Sequence, residues 1–226
     1  GELYFGPHEP RPAKAWDRAG LVMHCSSFSK SLAPGYRVGW VAAGRFGKDV
    51  GRRKLMHSLA AALPSQEGLS EYLQHGGYDR HLRQLRSTLA QHRDVVLRAI
   101  DKHFPAGTKV TQPEGGYFVW VELPDTVDAL DLHRLALSHD ISLAPGHLFS
   151  ADRRYTHHLR LNFGHPDHPG IEAALHTIGQ IAKALALNAA EERRHKEVLH
   201  NMLTFYKIQL GPEPIYLPPA NPEFGF

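Results

Sequence analysis

Between Tyr78 and His103 the apolar residues Leu82, Leu85, Leu89, Val96 and Ile100 recur at helical spacing, with arginines in the intervals. That period predicts one long amphipathic helix over residues 78–103. Its basic face suits solvent or a partner better than a polyanion, because no aromatic side chains are interleaved to stack on bases. Shorter apolar runs predict strands: a buried one over residues 21–28 and a second over residues 37–43. Lying side by side, these two would hold Lys30 and Arg37 near each other. Residues 48–63 predict a helix ended by Pro64, because proline has no N–H to continue the ladder. Residues 66–75 predict another, closed by Gly76-Gly77.

From Lys109 onward the pattern shifts to a smaller α/β module. Residues 117–123 alternate and are rich in aromatics, which predicts a strand, and residues 128–139 predict a helix. Residues 141–144 and 159–163 predict further strands, and residues 171–187 an amphipathic helix. Gly115-Gly116 either lets the backbone approach something closely or makes a tight turn. Residues 188–210, which include Glu191-Glu192-Arg193-Arg194, read as a charged helix, and residues 212–226 are too rich in proline for regular structure.

Composition sets limits on function. The chain has 226 residues, 42% hydrophobic and 22% charged, which is ordinary for a globular protein with one or two domains. Its single cysteine excludes an internal disulfide and suits a reducing, cytoplasmic setting. Cys25 lies in the predicted strand and is expected to be a buried packing thiol. A net charge of +3 without a block of like charge does not suggest nucleic acid. No apolar run reaches the ~20 residues of a membrane span, and no basic-then-apolar leader opens the chain. Despite 17 histidines, no metal site is expected. His157 and His158 would point to opposite faces of a strand, and the His165-Pro166-Asp167-His168 turn has no open-site pattern.

The candidate chemistry starts at Ser26-Ser27-Phe28-Ser29-Lys30, followed by Arg37-Val38-Gly39-Trp40. A lysine amine must lose its proton to attack a carbonyl, which a neighbouring cation and partial burial both favour. Ser27, Ser29 and Arg37 are residue types that clamp a phosphate, the arginine with a planar fork. A reactive lysine beside a phosphate clamp is what pyridoxal phosphate requires. Arg160 stands between two leucines on a predicted strand. Alternation there points it to solvent.

The segment 26–40 resembles the lysine loop of fold-type I pyridoxal-phosphate aminotransferases. Pro64-Ser65-Gln66 and the stretch from Gly77-Tyr78-Asp79-Arg80 to Arg86 are similar to the helical region after that loop. They resemble in particular the aminotransferase-like half of MocR/GntR regulators and their aminoadipate-transaminase-like relatives. Pro113-Glu114-Gly115-Gly116-Tyr117-Phe118-Val119-Trp120, Ala144-Pro145-Gly146-His147-Leu148-Phe149 and His158-Leu159-Arg160-Leu161-Asn162-Phe163 resemble the family's later landmarks in order.

The resemblance implies an α/β fold, part of a fold-type I transferase. Residues 1–104 would be a remnant of the cofactor-binding large domain with its connecting helices, and residues 105–187 the small C-terminal domain. Residues 188–226 would be an extension, helical and then proline-rich. It further implies pyridoxal 5'-phosphate as cofactor, Lys30 as the Schiff-base lysine, and Ser27, Ser29 and Arg37 at the phosphate. Arg160 would lie at the substrate carboxylate, the substrates being an amino acid and a 2-oxo acid, in a homodimer. The family's ring-nitrogen aspartate, phosphate-cradling glycine turn and stacking aromatic match no position here. They are expected before Gly1, which would impair transamination by this chain alone. The alternative is the effector-sensing domain of a MocR/GntR-type regulator, without productive turnover.

Overall fold

The computed structural model describes residues 1–164 and 170–210, with side chains through residue 202. A four-stranded antiparallel sheet carries the main core. Its strands are β3 (Lys109–Val110), β4 (Phe118–Glu122), β5 (Ala144–Pro145) and β6 (His158–Asn162), in spatial order β3-β4-β6-β5. Strand alternation divides the β4 and β6 side chains between two faces. Val119, Val121, Leu159 and Leu161 turn inward and are buried. Phe118, Trp120, Arg160 and Asn162 take the opposite face, with Phe118 paired to Asn162 and Trp120 to Arg160.

Three helices cover the inward face. The first, α3 (Gly77–His103), supplies Leu89, Val96, Ala99 and Ile100, and α4 (Ala129–Leu137) supplies Ala129, Leu132 and Ala136. The last, α5 (Ile171–Leu210), contributes Leu175, Ile178 and Ala182. The Asp128 side chain caps α4 by accepting hydrogen bonds from the Leu130 and Asp131 amides. The two helices expected over residues 171–187 and 188–210 form this one continuous α5, since nothing between them breaks the backbone ladder. The proline-rich residues 212–226 and the His165–His168 turn lie outside the described residues.

The lysine segment belongs to a second, smaller layer. Strands β1 (His24–Ser27) and β2 (Gly39–Ala42) pair antiparallel, Ser27 opposite Gly39, as their proximity in sequence predicts. They are shorter than expected, and β2 is exposed along its whole length. Cys25 is exposed too, so the expected packing thiol is not found: it alternates onto the open face of β1, while Phe28 just beyond turns inward. Phe28 packs with Leu69, Tyr78 and Leu82 in a satellite core.

Helices α1 (Gly47–Ser58) and α2 (Leu63–Gln74) precede α3. Pro64 does not end α1. It sits in the first turn of α2, where its missing N–H breaks no helical bond. The first helix stops instead at Leu59, whose φ of 47° departs from helical geometry. Gly76, with φ of 67°, makes the turn from α2 into α3, a conformation glycine adopts without strain.

Gly115-Gly116 resolves as the close backbone approach. Gly115 bridges Tyr4, the Gly116 amide donates to Leu3 O at 2.7 Å, and a Cβ on Gly115 would lie 2.7 Å from that same oxygen. Two arginines of α3 secure this region rather than facing only solvent: Arg86 donates to Glu2 O, and Arg93 donates to Pro113 O and covers the Phe5 ring. The sheet core depends on Phe163, which is fully buried and edge-on to Phe5. Phe163→Ala is expected to lower the unfolding free energy by about 3–5 kcal/mol, measured by urea denaturation.

Candidate functional site

Lys30 sits in the turn that leaves β1. The turn is closed by the Leu32 and Ala33 amides, which both donate to Phe28 O, at 2.9 and 3.0 Å. This tight closure turns Ser31 inward, where it is buried, and leaves Lys30 exposed rather than partly buried. The Lys30 amine lies 5.9 Å from the centre of the Tyr117 ring and, among the described residues, has no ion-pair partner.

Two cavities meet at this lysine. One, of about 530 Å³, is lined by Ser26 and Ser27 from β1, Lys30 and Ser31 from the turn, Glu2 from the N-terminal segment, and Gly115-Gly116. The second, of about 310 Å³, is lined by Ser29, Lys30, His81, Tyr117 and Asn162 among others. Ser27, Ser29 and Lys30 are thus brought together. Arg37 is exposed and lines neither cavity. It holds a left-handed backbone at φ 54°, next to Val38, whose carbonyl accepts from the Phe28 amide at 3.1 Å. That bond sets Arg37 beside the start of the lysine turn.

Arg160 does not point freely to solvent. Its guanidinium lies 4.2 Å from the Phe118 ring centre and 4.4 Å from that of Phe149, an aromatic sandwich that favours a cation. Its Nε is buried and has no hydrogen-bond partner among the described residues. A buried donor left unpaired is costly, and a carboxylate or phosphate oxygen would satisfy it. Arg160 lines a third cavity, of about 400 Å³, together with Phe118 and Asn162. Asn162 is two residues along the same face of β6 and also lines the Lys30 cavity, so it joins the two regions. His157 and His158 diverge: His157 Nδ1 meets Val127 O at 2.9 Å, while the His158 ring lies beside Trp120.

These residues compare with known proteins as follows. The family model described as aminotransferase class I and II matches residues 2–178. The chain belongs to this aminotransferase family. It is 47% identical over 161 residues to the uncharacterized HTH-type transcriptional regulator YdcR of Escherichia coli (strain K12), covering 71% of this chain and 34% of that one. It is 33% identical over 184 residues to aromatic-amino-acid aminotransferase 1 of Thermococcus litoralis, covering 81% of this chain and 44% of that one. Among solved structures it resembles LysN, the α-aminoadipate aminotransferase of Thermus thermophilus, complexed with N-(5'-phosphopyridoxyl)-L-leucine. The TM-score is 0.75 at 30% identity, over 81% of this chain and 48% of that one. The chain therefore spans between a third and a half of the relatives it matches, and over that span its fold is that of a fold-type I aminotransferase.

Two polar residues near the lysine turn are not singled out by sequence reasoning: Ser31 and Tyr78. The Tyr78 hydroxyl lies 2.7 Å from Ser31 Oγ and donates to Glu2 Oε2 at 2.9 Å. A phenol has one proton to give, so Ser31 is the donor in the first of these bonds. His81, one turn further along α3, meets the Ser31 carbonyl at 2.9 Å. The helical spacing of Tyr78 and His81 is the one signal in the sequence, and residues 31 and 78 carry no local pattern that links them. Burial, followed by the carboxylate of Glu2, pushes the Tyr78 pKa up to about 12, against an opposing effect of Ser31. Between pH ~10 and ~12 the unfolded chain loses this proton while the folded chain keeps it, so stability falls as pH rises through that window. Near-UV phenolate absorbance is expected to show one tyrosine ionising close to pH 12, and Tyr78→Phe is expected to remove that component.

Proposed function

We propose that this chain carries the lysine-bearing part of a pyridoxal 5'-phosphate-dependent aminotransferase domain that acts on an amino acid and a 2-oxo acid. One observation carries the reading: the Lys30 amine, without an ion-pair partner among the described residues, lies where two cavities meet, joined through Asn162 to a half-buried Arg160 whose Nε lacks a partner among those same residues. The donor set fits the cofactor. Lys30 would anchor it, with Ser27 and Ser29 donating to its phosphate. The phosphate role of Arg37 rests on the sequence resemblance. When bound, the cofactor supplies an electron sink that stabilises negative charge at the substrate Cα.

The chain's own residues do the rest. Arg160, already aligned by Phe118 and Phe149, would take the substrate carboxylate in paired charge-assisted bonds and fix the amino acid in one orientation. Lys30, as an uncharged amine, would then serve as the base that removes the Cα proton. The tyrosine ring over which Lys30 lies borders the same space and helps to exclude water from it.

We divide the chain into residues 1–104 as part of the large domain, 105–187 as the small domain and 188–226 as an extension, the last boundary falling within α5. A cytoplasmic homodimer is the assembly this reading carries. Transamination by this chain alone is expected to be weak, since the residues that would hold the ring nitrogen match no position in it. The 47% identity to an HTH-type regulator favours a second reading, an effector-sensing domain that binds the same cofactor without turnover.

Mixing the purified chain with pyridoxal phosphate is expected to produce a visible absorption band, and borohydride reduction should place the label on the peptide carrying Lys30. Label spread over surface lysines, with an unchanged spectrum for Lys30→Ala, would refute the assignment. Steady 2-oxo-acid formation from an amino acid separates the enzyme from the regulator. For Arg160→Gln, loss of the charged donor is expected to weaken binding of an amino-acid carboxylate by about 10- to 100-fold, read by equilibrium titration of the cofactor-loaded chain.

A further inference from the structure

Tyr78 does more than fill the satellite core. Its hydroxyl is the centre of a hydrogen-bonded chain in which Ser31, buried, donates to Tyr78 and Tyr78 donates to the half-buried Glu2. Ser31 directly follows Lys30, and Glu2 lines the same 530 Å³ cavity as Lys30. A carboxylate in a cavity with an ammonium is drawn to it, and the resulting pair would hold the lysine protonated. Yet Lys30 makes no ion pair among the described residues, and the Glu2 carboxylate is instead bound by the phenol. The Glu2 backbone is fixed as well, its carbonyl accepting from Arg86 Nε at 2.8 Å.

We propose that Tyr78 is a positioning residue that holds the Glu2 carboxylate away from Lys30 while fixing the lysine turn through Ser31, and so keeps the Lys30 amine available to react. The inference rests on the reading of Lys30 as the reactive amine. The phenol suits this task because it stays protonated at neutral pH and donates a single strong bond to a carboxylate. His81 supports the same turn from one helical turn further along α3. The other ionisable groups that line the two cavities at Lys30 are the Gly1 amine, Tyr4 and His8 on the N-terminal segment, Glu114 ahead of β4, and His81 and Tyr117. Glu114 is thus a second carboxylate in the cavity, and its side chain lies against Gly6.

The test needs no cofactor. Trace acetylation of the full chain with acetic anhydride, read by peptide mass spectrometry across neutral to alkaline pH, reports the free-amine fraction of Lys30 against exposed Lys54. In Tyr78→Phe, the released Glu2 should reach Lys30, lowering its relative labelling about five- to tenfold near neutral pH and moving its profile to higher pH. Adding Glu2→Gln to that variant should restore the original profile, which general loosening of the turn would not do. An unchanged profile in Tyr78→Phe overturns the proposal, as does a drop that Glu2→Gln fails to reverse.

If Tyr78→Phe does not fold, Glu2→Gln alone decides. A profile within about twofold of the parent agrees with a carboxylate already turned to Tyr78. A several-fold gain in Lys30 labelling shows that Glu2 already loads the lysine and refutes the idea. Because these readings precede cofactor binding, their failure leaves the proposed function standing. Failure of pyridoxal phosphate to label Lys30, with the acetylation pattern as expected, would reject that function and leave the role of Tyr78 intact.

Discussion

Burial along a single stripe of α3 ties the two layers of the structure together. The first turns of that helix, through Tyr78 and Leu82, pack against Phe28 and Leu69 beneath the lysine turn. Its later turns, through Leu89, Val96, Ala99 and Ile100, close the core under the four-stranded sheet. A helix is stiff over this length, so the two cores hold a set separation. The Lys30 turn and the Arg160 strand, which belong to different sheets, are positioned relative to each other by that one element.

The sheet supplies the second half of this geometry. Alternation on β4 and β6 sends valines and leucines into the core and leaves Phe118, Trp120, Arg160 and Asn162 on the other face. Hydrophobic burial of one set thereby aims the other, and the aromatic sandwich then restricts the guanidinium to one direction. The N-terminal segment completes the wall. Leu3 and Tyr4 run against Gly115-Gly116, a contact that any side chain at Gly115 would obstruct.

Much of this is legible in sequence wherever periodicity is long. The stripe on α3 and the alternation of residues 117–123 identify their elements to within a residue or two, because each repeats one burial requirement many times. Short elements are harder to read. The strand before the lysine turn reads as buried over residues 21–28, yet β1 is four residues and Cys25 lies on its open face. An apolar run such as Leu21-Val22-Met23 states a preference for burial without saying whether a partner surface exists, and here Leu21 and Met23 are exposed. Pro64 marks a boundary, but on the other side of it, since proline suits a first helical turn as well as it stops a last one.

At the site, sequence by itself determined the chemistry on offer: the order of Ser27, Ser29, Lys30 and Arg37, the later Arg160, and membership of an aminotransferase family. These are local patterns, carried by neighbours in the chain. Tertiary structure alone decided what surrounds them. It set Lys30 exposed at the meeting of two cavities, placed Arg160 between two rings with an Nε that has no partner among the described residues, and bound Glu2 and Ser31 to the same phenol. Residues 2, 31 and 78 are far apart in sequence, and a hydrogen bond depends on distance and direction in space. Only the packing of α3 against the lysine turn brings them within that range.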